Sequence, residues 1–221
     1  MNAEPITTAR LTLEPLAVRH AAEMAEVLGD PALHTFIGGS PETPEQLRDR
    51  YARLTATPPP DRAESWLNWV IRLHAPDTAA DTGPDTGPDT DSDTAPEAAA
   101  DTGSDRPTGD TDGGTDSDTD GDTDDGTGPS ADGSGRLVGY VQATVSRDRA
   151  TVAWVVGTPW QGRGIAGEAA VALVAWLRER GTTTIVATIH PDHTASSAVA
   201  RRAGLAPTGG RVDGEVVWRS R

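Results

Sequence analysis

The residues best placed for chemistry form one run, Gln161-Gly162-Arg163-Gly164-Ile165-Ala166-Gly167-Glu168. Three glycines follow a β-branched and aromatic stretch, Thr151–Val156, and precede apolar residues at helical spacing: Ile165, Ala169, Ala172, Leu173, Trp176 and Leu177. That pattern reads as strand, sharp turn and helix start. Unpaired amides at a helix N-terminus, backed by the helix dipole, hold anions, phosphate above all. Arg163 can add a charge-assisted contact and Gln161 flanks the turn. Groups able to handle a proton lie elsewhere. His190 and His193 follow the strand Ile185–Ile189, where a neutral imidazole can take a proton through water. Glu64 opens another strand, and Ser196 lies where a hydroxyl either bonds a ligand or satisfies helix amides.

The elements that must position these groups can be read along the chain. Thr7–Pro15 alternates like a strand, with Leu11 and Leu13 on one face. Leu16–Leu28 reads as a helix with Val18, Ala21, Ala22, Ala25 and Leu28 inward, ended by Asp30-Pro31. Leu33–Gly39 reads as a loop with apolar anchors. A second helix runs from Thr43-Pro44 to about Thr55, with Thr43 as N-cap and Gln46 completing a capping box. Pro58-Pro59-Pro60 stops it. Strands follow at Glu64–Leu73, Arg136–Val145 and Thr183–Ile189, then a short helix and a closing strand.

Charge divides the chain sharply. The net charge is −15, yet residues 76–135 hold 17 Asp, one Glu and one Arg in repeats of Asp-Thr with Gly, Pro and Ser. This segment lacks the apolar surface to offset the entropy of ordering, so it is expected to be a disordered insert. The rest carries 18 Arg against 16 acidic residues, without a clustered basic patch, so no nucleic-acid surface is expected. The insert separates two strands that would otherwise form a hairpin. Lengthening that loop from about 4 to about 60 residues costs only ~2–3 kcal/mol. One domain, 1–75 with 136–221, is therefore expected around it. Within the insert, Asp116-x-Asp118-x-Asp120-Gly121-Asp122-x-Asp124 resembles the start of a calcium loop, but Thr127 stands at the twelfth position and no helices flank it. No metal site is expected. There is no cysteine, so disulfides and thiolate ligands are excluded. The first residues form no secretory signal and the apolar runs are too short to span a bilayer, so a cytoplasmic protein is expected.

Gly162, Gly164 and Gly167 satisfy G-x-G-x-x-G, but a dinucleotide fold needs more parallel βα units than the sequence offers afterwards. Gln161-x-x-Gly164-x-Ala166, after a Trp154-Val155-Val156 strand and before a helix, resembles the Q/R-x-x-G-x-G/A signature of GCN5-related N-acetyltransferases (GNAT). The opening Ala9-Arg10-Leu11-Thr12-Leu13-Glu14-Pro15-Leu16, Phe36-Ile37-Gly38-Gly39 and Arg201-Arg202-Ala203-Gly204-Leu205 are similar to the Rim-type branch, which acts on protein N-termini. The resemblance covers essentially all of the chain outside the insert. It implies an α/β fold with a mixed, mostly antiparallel sheet flanked by helices, and acetyl-CoA as co-substrate, with its pyrophosphate on the amides of Gly162–Gly167 and its pantetheine along Trp154–Val156. It also implies an oxyanion donor at the backbone of Val155 or Val156. The acceptor is a primary amine, on a protein N-terminus or a small molecule, in a pocket built from Phe36 to Gly39, the second helix and the strand ends. A monomer or homodimer is expected.

The proton-handling residues depart from the family pattern. No Glu occurs in Arg149-Ala150-Thr151-Val152-Ala153, and Ala200 occupies the usual Tyr position. Ser196, His190 and Glu64 are the candidates left. Two further readings stay open: an acetyl-CoA-binding module without turnover, and an acidic insert that tethers a basic partner.

Overall fold

The computed structural model describes residues 1–56, 64–75 and 135–221. The insert, its calcium-like run and the three prolines that end the second helix lie outside the described residues. Among the described residues no helix is long and apolar enough to cross a membrane, and no group of three or more His, Cys, Asp or Glu could hold a metal.

One eight-stranded sheet organises the unit, in the order β1-β2-β3-β4-β5-β6-β8-β7. The strands are β1 (Ile6–Thr7), β2 (Leu11–Pro15), β3 (Glu64–Leu73), β4 (Arg136–Ser146), β5 (Arg149–Val156), β6 (Thr184–Ile189), β7 (Leu205–Val212) and β8 (Glu215–Ser220). All neighbours run antiparallel except β5 and β6. The helices are α1 (Ala21–Val27), α2 (His34–Ile37), α3 (Pro44–Thr55), α4 (Ile165–Glu179) and α5 (Thr194–Arg202). This is the mixed, mostly antiparallel α/β architecture expected from the sequence.

Two cores lie on opposite faces of the sheet. On one, Leu11, Leu13, Trp69, Ile71, Val141 and Ile185 pack under α4 through Ile165, Ala169, Leu173 and Leu177. On the other, Met24, Val27, Leu47 and Tyr51 of α1 and α3 pack on Val70, Leu137 and Val155. Each Leu or Val sealed in these layers contributes about 1.5–3 kcal/mol. α3 starts as its sequence dictates: Gln46 N–H donates to Thr43 Oγ1 at 3.3 Å and Gln46 Oε1 accepts Thr43 N–H at 2.8 Å.

Four local expectations are corrected. The strand 7–15 is broken by a turn at Thr8, whose N–H donates to Leu11 O at 2.8 Å. The first helix is an α-helix only from Ala21, after one 3₁₀ turn at Val18–His20, and Met24 and Val27 rather than Val18 and Ala22 face inward. Helical phase explains this, because Met24 and Val27 lie i+3 and i+6 from Ala21 and share its stripe. Leu33–Gly39 is not all loop: α2 forms there, stopped by Gly38 at φ 77°. The closing segment is a hairpin, β7–β8, turned at Asp213-Gly214. β7 is an outer strand, and its register with β8 slips between Pro207 and Arg211.

A carboxylate–guanidinium cluster holds the neck from which the insert departs. Arg72 donates from Nε to Glu14 Oε1 at 2.5 Å and from Nη1 to Gly135 O at 3.0 Å. Glu23 Oε1 accepts Leu137 N–H at 2.6 Å, and His20, 3 % exposed, places Nε2 3.4 Å from Glu14. Burial works to raise the Glu14 carboxyl, but the hydrogen bond and charge of Arg72 outweigh it and hold the group below its ordinary value. Burial, with the charge of Arg19, lowers His20 against the opposing pull of Glu14. Both folded-state values lie below their unfolded ones. Their stabilisation is therefore complete above the unfolded His and Glu values and is lost as pH falls through the folded ones. Thermal melts should show a falling Tm as pH drops from 7 towards 4. His20→Gln should flatten the upper part of that fall; an unchanged profile contradicts the assignment.

Candidate functional site

β5 carries the site because its two edges differ. On one side it pairs with β4 along its whole length; on the other it pairs with β6 only from Arg149↔Thr184 to Thr151↔Val186. Beyond Thr151 the two parallel strands part, and among the described residues Val152–Val156 has no strand partner on that side. Gly157 N–H donates to Val138 O at 2.9 Å, so it points to β4. By the two-residue alternation of a strand, the backbone groups of Val155 also point to β4, whereas those of Trp154 and Val156 point into the gap. Val156 O there accepts Gln161 Nε2 at 2.9 Å. Of the two oxyanion candidates, Val156 has its amide on the open edge.

The open edge leads to the glycine turn. Gly162 and Gly164 both lie in the left-handed region, at φ 75° and 76°, and Gly164 is the N-cap of α4. A residue with a side chain would strain both positions. Gly167 serves differently: a methyl there would come within 2.7 Å of Arg202 Cδ, so this glycine admits α5 against α4. Ile165 is buried and anchors the helix start, Ala166 packs at the core's margin, and Arg163 is exposed.

Sequence reading missed what fixes this turn to the sheet. Glu168 accepts from Thr8 Oγ1 at 2.6 Å and from the backbone N and Nε of Arg10 at 3.1 and 2.8 Å. Arg10 also donates to Arg163 O at 3.2 Å. Burial works to raise the Glu168 carboxyl, but these hydrogen bonds hold it below its ordinary value. Partners about 160 positions apart leave no local signal in the sequence.

The proton-handling candidates fare unequally. Ser196 is half-buried in the first turn of α5, and its N–H donates to His193 Nδ1 at 3.5 Å. His193 is thus the N-cap of α5, stacked on Phe36 at 4.1 Å, and burial followed by the charge of His190 lowers its pKa. His190 Nδ1 accepts Asp192 N–H at 3.2 Å. The same Nδ1 lies 3.8 Å from the Asp192 carboxylate, so His190 is tied into its own exposed turn. Glu64 is not brought to the site. Val156 pairs with Gly139 and Gly139 with Ile71, so Glu64 lies seven residues away along β3, or about 23 Å. Ala200 is fully buried and offers nothing polar.

On the α1/α3 face, next to this edge, a cavity of about 550 Å³ is lined by His34, Glu42, Arg50, Tyr51, Tyr140 and Gln142 among others. Ile37, Gly38 and Gly39 line it too. Tyr140 lies opposite Val155 in the β4–β5 ladder. Glu42 and Arg50 form a 2.7 Å ion pair at the rim. Burial raises both phenols, Tyr51 to about 12. These are the only two tyrosines in the chain, so a spectrophotometric titration reads the cavity directly. Phenolate absorbance should stay flat through pH 10 while the fold holds; a rise at the ordinary tyrosine value would contradict this environment.

Comparison with known proteins agrees with the geometry. Residues 121–206 match the family model described as acetyltransferase (GNAT) domain. A search of curated protein sequences found no match. Among solved structures, an acetyltransferase (GNAT family) from Bacillus anthracis is similar at TM-score 0.58 and 15% identity, over 98% of this chain and 95% of that one. RimL, a ribosomal L7/L12 alpha-N-protein acetyltransferase in complex with coenzyme A, is similar at 0.60 and 15%, over 98% and 96%. AAC(6')-Ib, in complex with paromomycin and acetyl-CoA, is similar at 0.57 and 14%, over 96% and 93%. At these identities the structures speak for the fold. The matched stretch ends at the β7 start and spans the parted strands, the glycine turn and α4, and over it the chain is similar to the acetyltransferase (GNAT) domain.

Proposed function

We propose that this protein is an N-acetyltransferase that passes the acetyl group of acetyl-CoA to a primary amine by direct attack within a ternary complex. The supporting observation is the unpaired Val152–Val156 edge running into the Gly164-capped start of α4. Such an edge accepts an extended amide chain as an added strand, as pantetheine requires. The turn beyond it offers amides and a helix dipole to a pyrophosphate, with Gln161, Gly162, Arg163, Gly164, Ile165 and Ala166 around it. The Val156 N–H then faces the thioester oxygen and stabilises the charge that develops there as the amine attacks. Ser196, in the first turn of α5, lies on the side of the departing thiol and can hydrogen-bond it.

The amine approaches from the cavity on the other face. The phenols of Tyr140 and Tyr51, kept protonated by burial, orient its nitrogen by hydrogen bonds rather than strip its proton. Proton removal falls to water entering the open cavity. The Rim-type resemblance and the cavity wall of Ile37–Gly39 favour a protein N-terminus as acceptor, with a small-molecule amine as the other class.

Gly164→Asp tests the cofactor assignment by setting a carboxylate where phosphate should sit. Calorimetry should show loss of acetyl-CoA binding while circular dichroism shows the fold intact; undiminished binding would overturn the assignment. Tyr140→Phe should lower kcat about 10-fold or more with little change in the acetyl-CoA KM, because orientation of the amine is lost and the cofactor groove is untouched.

A further inference from the structure

The β4 strand carries one residue too many where it faces the reactive stretch. Ile71 pairs with Gly139 and Arg72 with Leu137, so Val138 has no opposite number on β3. This is a β-bulge, and a bulge leaves part of the ladder's hydrogen bonding unmet. Its Leu137 N–H is met from outside the sheet by Glu23 Oε1 of α1 at 2.6 Å. Arg72, 4.0 Å from Glu23, meets Gly135 O at 3.0 Å and is itself gripped by Glu14.

The bulge has two effects at the site. It reverses which face of the sheet β4 presents. Leu137 packs with α1 and α3 and Val138 with α4, yet Tyr140 returns to the α1/α3 face. Tyr140 holds that face through its pairing with Val70 and Val155, and the extra residue lets Leu137, beyond the bulge, return to the same face. The bulge also aligns β5: Val138 O accepts Gly157 N–H, and Gly139 lies so close to Val155 that a methyl would come 2.1 Å from Val155 O. The direction of the Val156 amide follows from these contacts.

We propose that Glu23 is a positioning residue for the transfer reaction. By holding the Leu137 amide it maintains the bulge that seats Val138 O on the Gly157 N–H and so aims the Val156 N–H at the open edge. This rests on the proposed acetyl transfer, and it adds a residue on α1 that touches neither substrate.

The test compares wild type with Glu23→Ala and Glu23→Gln. Glutamine keeps an oxygen that can accept from Leu137, so it is the rescuing variant. Glu23→Ala should lower kcat roughly 10- to 100-fold, the scale expected from misplacing reacting groups by about 1 Å, with KM for acetyl-CoA within about twofold. Glu23→Gln should recover most of that loss. Hydrogen exchange read by mass spectrometry, which needs no turnover, should accelerate in Glu23→Ala at Leu137–Tyr140 and Trp154–Gly157 and not in α4. Unchanged kcat in folded Glu23→Ala, or unchanged exchange at both segments, overturns the proposal. So does a kcat loss matched by an equal loss of folded protein, or glutamine as damaging as alanine. If wild type transfers acetyl to no amine, the proposed function fails and the role in transfer with it, while the exchange data still report whether Glu23 holds the bulge.

Discussion

The backbone hydrogen bonds that β5 does not make are the constraint on which the site depends. A buried strand edge normally pairs all its amides and carbonyls. Here the parallel pairing with β6 stops after three residues, and the following stretch stays open beside a glycine turn. The gap is held apart from two directions. On the β4 side, Gly139 lets the strands approach and Val138 fixes Gly157. At the far end, Gly167 lets α5 close on α4 while Glu168 ties the helix start to the β1–β2 turn.

The two faces of the sheet divide the proposed labour. The α4/α5 side supplies polypeptide groups: amides, a helix end and glycines. The α1/α3 side supplies side chains: two phenols, an ion pair and amide side chains around a cavity. Backbone suits a co-substrate common to a whole family, because its recognition then does not depend on side-chain identity. Side chains suit the variable partner.

The sequence disclosed the parts governed by local rules. The Thr43–Gln46 capping box and the glycine turn need only neighbouring residues, and both are as expected. Phase was harder: Met24 and Val27 displaced Val18 and Ala22 because a 3₁₀ turn shifted where the α-helix begins. What the sequence hid was produced by long-range contacts. Strict alternation places Leu137 and Val141 on one face, but the Val138 bulge separates them, so Leu137 joins the α1/α3 layer and Val141 the α4 layer. Glu64 looked eligible at a strand start, and only the strand register shows that it is remote. His190 and His193 were eligible by type, and their turn and cap hydrogen bonds are local events that only coordinates reveal.

The sheet's margins bear on how copies of this chain can meet. One outer strand, β1, is two residues long. The other, β7, slips its register beside Pro207, which has no N–H to offer, and continues through two glycines to Arg211. Neither margin presents a regular row of donors and acceptors, so lateral growth of the sheet from one molecule into the next is blocked at both sides. Self-association, where it occurs, must therefore use side-chain surfaces and leave the backbone ladder closed. The unmatched Val152–Val156 stretch of β5, by contrast, lies inside the sheet and not at its margin.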